Sequence, residues 1–160
     1  MHRISRSSTI ASHMTALEIE NLLKSQIPIS NHLGLHHFEL GTQDLTFDLS
    51  LMPNVNHKGT LFGGSLYSAS ALACYGLFLS GLRQHNFSTN NIVISEGQMR
   101  YLAPVDRDAK LRAFWNSTTE QRQFFEGLSA KKKARVLMRA QVLVEEKICA
   151  EFSGLFVAKT

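Results

Sequence analysis

Gly59-Thr60-Leu61-Phe62-Gly63-Gly64-Ser65-Leu66-Tyr67-Ser68-Ala69-Ser70-Ala71-Leu72-Ala73-Cys74-Tyr75-Gly76-Leu77-Phe78-Leu79-Ser80-Gly81-Leu82 is the longest run of the chain without a charged residue. A membrane-spanning helix needs about 20 mainly apolar residues, and this run is long enough. Its composition argues otherwise: Thr60, Ser65, Ser68, Ser70, Ser80 and five glycines make it too polar for a good span. A helix enclosed by protein on nearly all sides fits better. Ala69, Ala71, Ala73 and Gly76 allow close approach, while Leu66, Leu72, Leu77 and Phe78 fill a core. No membrane span is expected.

The flanks supply what would enclose it. Upstream, Thr15 with Glu18 three residues on has the pattern of a capping box, and Ile19, Leu22, Leu23 and Ile27 follow at helical spacing until Pro28. Two strands are predicted over Leu33–Leu40 and Leu45–Leu51, joined by the turn Gly41-Thr42-Gln43-Asp44. Downstream, Asn91–Leu102 reads as a strand that Pro104 ends. A single alternation puts Val93, Ser95, Gly97, Met99 and Tyr101 on one side, with Ile92, Ile94, Glu96, Gln98 and Arg100 on the other. Lys110–Trp115 alternates again, and Ser117–Lys131 reads as a short helix anchored by Phe124, Phe125 and Leu128. Arg135–Glu145 and Ile148–Val157 read as the arms of a hairpin. Short connections favour an antiparallel sheet, and one sheet curled around one apolar helix is the economical α+β packing.

At 160 residues the chain fits a single domain. With 44% hydrophobic and 19% charged residues its composition is that of a soluble globular protein. The formal charge of +4 is spread out except at Lys131-Lys132-Lys133-Ala134-Arg135. Such a balance suits a phosphate-bearing small molecule, though it equally reports solubility alone. No reader module accompanies the basic run, so no nucleic-acid partner is expected. Cys74 and Cys149 are the only cysteines and lack metal-type spacing. They read as buried free thiols of a reducing, cytoplasmic compartment, and no metal site is predicted. Met1–Ser12 is rich in Ser and Arg and lacks the apolar stretch of a secretory signal. It reads as a transit peptide or a disordered tail. Ala11-Ser12-His13-Met14 also resembles a cloning junction, so residues 1–14 are set outside the domain and 15–160 form it.

The element order, together with Asn56-His57-Lys58-Gly59-Thr60-Leu61-Phe62-Gly63-Gly64, resembles the hotdog-fold thioesterases. Asn56, Gly59, Thr60, Gly63 and Gly64 match the broad pattern of that superfamily. The chain more closely resembles the thioesterase domain that follows an acetyltransferase domain in YiiD-type proteins. The matching residues are Pro53-Asn54-Val55-Asn56, Lys58-Gly59-Thr60, Phe62-Gly63-Gly64-Ser65-Leu66, Arg100-Tyr101-Leu102-Ala103-Pro104-Val105 and Phe152-Ser153-Gly154-Leu155-Phe156-Val157. The resemblance spans Leu33 to Lys159 and implies a hotdog fold, a curled antiparallel sheet around a long central helix. It further implies a homodimer or a dimer of dimers with sites at the subunit interface. The substrate would be an acyl thioester of coenzyme A or of an acyl-carrier protein, with no separate cofactor.

Thioester hydrolysis builds negative charge on the carbonyl oxygen. Backbone N–H groups at a helix start, aided by the helix dipole, stabilise it, and glycine lets the thioester approach. That is one reading of Gly63-Gly64; the other is close packing of helix on sheet. By resemblance Asn56 positions the thioester or the water. His57 is either a general base or electrophile, or an exposed loop histidine. The superfamily's usual carboxylate, two turns into the helix, falls at Ala71, and no carboxylate lies anywhere on the predicted helix. A replacement acid must come from elsewhere in this or the other subunit; Glu96 is the candidate, with an ion pair to Arg100 or another arginine as the structural alternative. Ser65 and Ser68 are candidates for positioning water. Asn54, Gly59, Thr60, Phe62 and Tyr101 complete the predicted substrate-binding set, Asn54 alternatively only capping its loop and Tyr101 only packing. The basic run 131–135 reads either as a phosphate site or as a solvated edge. Three functions follow: a thioesterase, a non-catalytic acyl-thioester binding module, or a dehydratase on the same fold. The last is weakened because His57 lacks a partner Glu on the helix.

Overall fold

The computed structural model describes residues 13–160. The reading of Met1–Ser12 as a tail lies outside those residues. Helix α1 (Ala16–Gln26) starts on the expected capping box: the Glu18 amide donates to Thr15 Oγ1 at 3.1 Å, and the Thr15 amide donates to Glu18 Oε2 at 3.0 Å. Both donors would otherwise be orphans of the first turn. Ile19 and Leu23 bury its inner face. Met14, just ahead of the expected domain start at Thr15, is 5% exposed and packs in the core.

A short 3-10 turn (Pro28–His32) leads to β1 (Leu35–Leu40), β2 (Asp44–Leu49) and then α2 (Gly63–Gln84). The rest is β3 (Ile92–Tyr101), β4 (Ala109–Trp115), α3 (Thr118–Lys131), β5 (Lys133–Val144) and β6 (Lys147–Lys159). The strands form one six-stranded antiparallel sheet in the order β1-β2-β4-β5-β6-β3. The sheet curls around α2, so the fold is the expected α+β hotdog. Its inner face carries Leu45, Phe47, Leu49, Leu111, Ala113, Met138, Ala140, Val142, Phe152 and Phe156, each 2% exposed or less.

The absence of charge in α2 now has a cause. It alone among the described helices is long and apolar enough to cross a membrane, and 72% of that window is buried inside the fold. Gly76 lies under Leu45 and Ile19, and Gly81 under Trp115. Small residues at these positions let helix and sheet approach. Burial also pushes the Cys74 thiol far up, so Cys74 stays protonated and unreactive.

Two bulges change which residues share a face. In the β3–β6 ladder, Ile94 pairs with Phe156 but Glu96 pairs with Leu155, so Ser95 is an extra residue. Ahead of it, Ile92 and Ile94 lie on the inner face; beyond it, that face passes to Gly97, Met99 and Tyr101. Gly97 confirms the assignment, because the Tyr67 hydroxyl of α2 fills the space its missing Cβ would take. The single alternation over Asn91–Leu102 therefore fails at Ser95. In β1, His36 pairs with Asp48 but Glu39 pairs with Thr46. The extra residue there is His37, whose φ is +54°.

Candidate active site

The segment leading into α2 is built from its own amides. Asn54 is 4% exposed, and its side-chain N–H groups donate to the Leu33 carbonyl at 2.7 Å and the Ser50 carbonyl at 2.8 Å. Its backbone carbonyl accepts the Phe62 N–H at 2.8 Å. Asn54 thus ties the entrance of β1 to the start of α2. Both of its side-chain donors are thus used within the fold, the loop-holding alternative for this residue.

Asn56 closes the next turn. Its Oδ1 accepts the N–H groups of Lys58 at 2.9 Å and Thr60 at 3.1 Å, and its Nδ2 donates to Thr60 Oγ1 at 2.9 Å. Gly59, with φ +75°, sits at the bend, a conformation glycine adopts without strain. Thr60 is the partner of Asn56 in this turn. One Nδ2 proton of Asn56 is left over. His57 is exposed on the same turn and hydrogen-bonds to nothing among the described residues.

The next three residues behave in the opposite way. Phe62, with ψ 131°, is the N-cap of α2 and offers no side-chain acceptor. The first helical bond runs from the Leu66 N–H to the Phe62 carbonyl. The N–H groups of Gly63, Gly64 and Ser65 consequently have no acceptor among the described residues, and the helix dipole adds its positive end there. Gly64 is exposed, with the half-exposed Phe62 ring beside it. Tyr101, from the far end of β3, donates its hydroxyl to the Gly63 carbonyl at 2.8 Å and fixes the direction of this first turn.

From Gly64 one face of α2 continues through Ser68, Ala71, Leu72 and Tyr75, at the i, i+4, i+7, i+8 and i+11 spacing of a helix stripe. Opposite lie Ile92, Val93 and Ile94 of β3, with Phe156 between and Ile27 and Ile29 at the far end. Together they form an open, almost wholly apolar groove of about 270 Å³. Ala71, where the superfamily carries a carboxylate, lines it. No lining residue is acidic, and burial pushes the Tyr75 phenol up, so that end of the groove stays uncharged.

The family model described as "Putative thioesterase (yiiD_Cterm)" matches residues 16–160. The chain belongs to this YiiD C-terminal thioesterase family. A protein of unknown function from Chlorobaculum tepidum is similar at 29% identity and a TM-score of 0.82, over 91% of this chain and 94% of that one. A "putative thioesterase" from Shewanella oneidensis is 27% identical, with a TM-score of 0.80 over 91% and 97% of the two chains. The thioesterase HI1161 from Haemophilus influenzae, at 15% identity over 93% and 94% of the two chains and a TM-score of 0.68, shares the fold.

The other sequence-predicted positions divide. Ser68 sits on the stripe one turn beyond Gly64 and Ser65 follows Gly64 directly, and neither hydroxyl makes a hydrogen bond within the described residues. Glu96 does not join them. Beyond the Ser95 bulge it lies opposite Leu155 on the outer face of the sheet, with Gln98 and Arg100, while α2 lies on the inner face. Arg100 pairs with Glu151 at 3.4 Å, not with Glu96. Strand register thus turns Glu96 away from α2 within its own chain. The basic run is remote as well: Lys133 pairs with Lys159, whose amide donates to the Asn91 carbonyl. This is the Ile92 end of β3, about 30 Å along the strand from the Tyr101 end. The sequence reading missed the groove's walls at Ile27, Ile29, Tyr75, Ile92 and Ile94. The spacing from Gly64 was enough to find Tyr75; nothing in the sequence marked the other walls.

Proposed function

We propose that the chain hydrolyses acyl thioesters, with the N–H groups of Gly63, Gly64 and Ser65 polarising the thioester carbonyl. The observation that carries this is the uncapped, solvent-open start of α2 at the head of an apolar groove. Oriented donors of this kind hold the developing oxyanion without reorganising. The acyl chain lies along Ser68, Ala71 and Tyr75 against Ile92–Ile94, and the carrier, coenzyme A or an acyl-carrier protein, stays outside. Ser68 and Asn56, each with polar atoms to spare, hold the attacking water, and no cofactor is needed.

The active form is a homodimer joined along β3. Among the described residues this ten-residue strand pairs only with β6, and its other edge exposes Val93 (55%) and Ile94 (39%). A free apolar edge is a ready template for a second strand. Antiparallel two-fold pairing brings the partner's Ile92 end, with its basic run 131–133, beside this chain's Tyr101 end. The coenzyme phosphates then meet lysines from the other subunit. Two free cysteines and the phosphate-bearing substrate suit the cytoplasm.

Thiol release from acyl-CoA and acyl-carrier-protein thioesters of graded chain length tests the hydrolysis. A second reading, a dimeric acyl-thioester binding module, is favoured by one observation: Ala71 leaves the groove without a carboxylate. Acyl-CoA that binds without releasing thiol at any chain length establishes that reading and ends the first.

A further inference from the structure

At the opposite edge of the sheet, β1 does something a regular strand does not. His36 and His37 are consecutive, so alternation would turn their side chains to opposite faces. The bulge at His37, with φ +54°, turns both to the outer face, and Phe38 inward against Phe47 at 4.7 Å between ring centres. Bulges commonly re-aim a side chain in this way. Asp48 of β2, cross-strand from His36, completes the cluster. One donor atom from each of the three lies within 4.8 Å of the others.

We propose that His36, His37 and Asp48 bind a divalent transition-metal ion of the zinc type, with water filling the remaining position. Two imidazoles and one carboxylate are a donor set suited to such ions. The surroundings of His36 match what a ligating histidine needs. Its Nδ1 donates to the Gly34 carbonyl at 3.0 Å, which fixes the tautomer and leaves Nε2 with its lone pair for the metal. His37 Nδ1 already lies 2.9 Å from Asp48 Oδ2. Tetrahedral zinc bonds of about 2.0–2.1 Å hold donor atoms about 3.3 Å apart, so the cluster closes with small side-chain motions. Lys110 Nζ, 3.3 Å from Asp48 Oδ1 and half exposed, is the competing cation and swings into solvent. Bound metal clips the sheet's first strand to its second, remote from the α2 groove and independent of any thioester chemistry.

Equilibrium dialysis of the full chain against zinc chloride, after chelator treatment, measures stoichiometry and affinity. One zinc per chain is expected, with His36→Ala, His37→Ala and Asp48→Asn each weakening binding at least about tenfold. Lys110→Met should tighten it, and His57→Ala should leave it unchanged. Cobalt(II) should give visible absorption of tetrahedral intensity, abolished in the Asp48→Asn variant. Circular dichroism establishes that each variant is folded. Binding that survives the loss of both histidines in a folded variant, or octahedral cobalt absorption unchanged by Asp48→Asn, overturns the proposal.

Discussion

The segment from Asn54 to Thr60 and the segment from Gly63 to Ser65 lie side by side and are built on opposite rules. In the first, the two asparagine side chains are turned to holding the fold: Asn54 on two carbonyls, Asn56 on two amides and a hydroxyl. In the second, three backbone donors in a row are unspent, and no side chain caps them. A polar residue beside a site is thus not thereby part of it. Spent groups hold the frame; unspent, oriented groups are free to act on a ligand. Polarity alone does not separate the two classes, but an inventory of hydrogen bonds does.

The sharpest way to break this contrast is to delete an unspent donor without disturbing the helix. Gly63→Pro does so. Proline is accepted at the first helical position, and Phe62 before it is already extended, as a residue preceding proline requires. The half-exposed Tyr101 ring, 3.3 Å from the new Cβ, has room to shift. Turnover of the best acyl thioester should fall about 10²–10³-fold with little change in melting temperature. Unchanged turnover would mean that the Gly63 N–H does not face the reacting carbonyl.

Asn54→Ala probes the spent side and should do the reverse. It strands the buried carbonyls of Leu33 and Ser50, costing about 3 kcal/mol and on the order of 10 °C in melting temperature. Chemical denaturation gives the first figure and calorimetry the second. Any fall in activity should track the unfolded fraction. Asn56→Ala, in a half-exposed turn, should cost roughly 1–2 kcal/mol by the same measurements. Here the contrast can be sharpened: a turnover loss beyond the stability loss would mean that the spare Nδ2 proton serves the substrate.

What the sequence disclosed follows the same division. Helix α2 was legible because burial on most sides excludes charge over more than twenty positions, a signal too long to arise from local accident. The capping box at Thr15 and the hairpin of β5 and β6 were legible because each is a short-range pattern. The bulges at His37 and Ser95 were not. They depend on how one strand registers against its neighbour, and a strand's own alternation carries no record of that. Asn54 and Asn56 enter the candidate site through the family resemblance, not through any bond the sequence displays. Whether an amide is spent is decided by backbone carbonyls, Leu33 among them, twenty-one residues away for Asn54.

Glu96 gives the smallest expected effect and the most direct test of the bulge. If β3 alternated without interruption, Glu96 would share a face with Ile92 and Ile94, both of which line the groove. The extra residue at Ser95 turns it outward instead, exposed and unpaired beside Leu155. Pairing β3 with a second copy does not bring it back, because an added strand continues the same two faces. Glu96→Gln should therefore leave turnover unchanged and stability within about 0.5 kcal/mol. A loss of turnover approaching that of Gly63→Pro, in a variant of unchanged melting temperature, would require the register at Ser95 to slip in the active form. The carboxylate missing at Ala71 would then be supplied from β3.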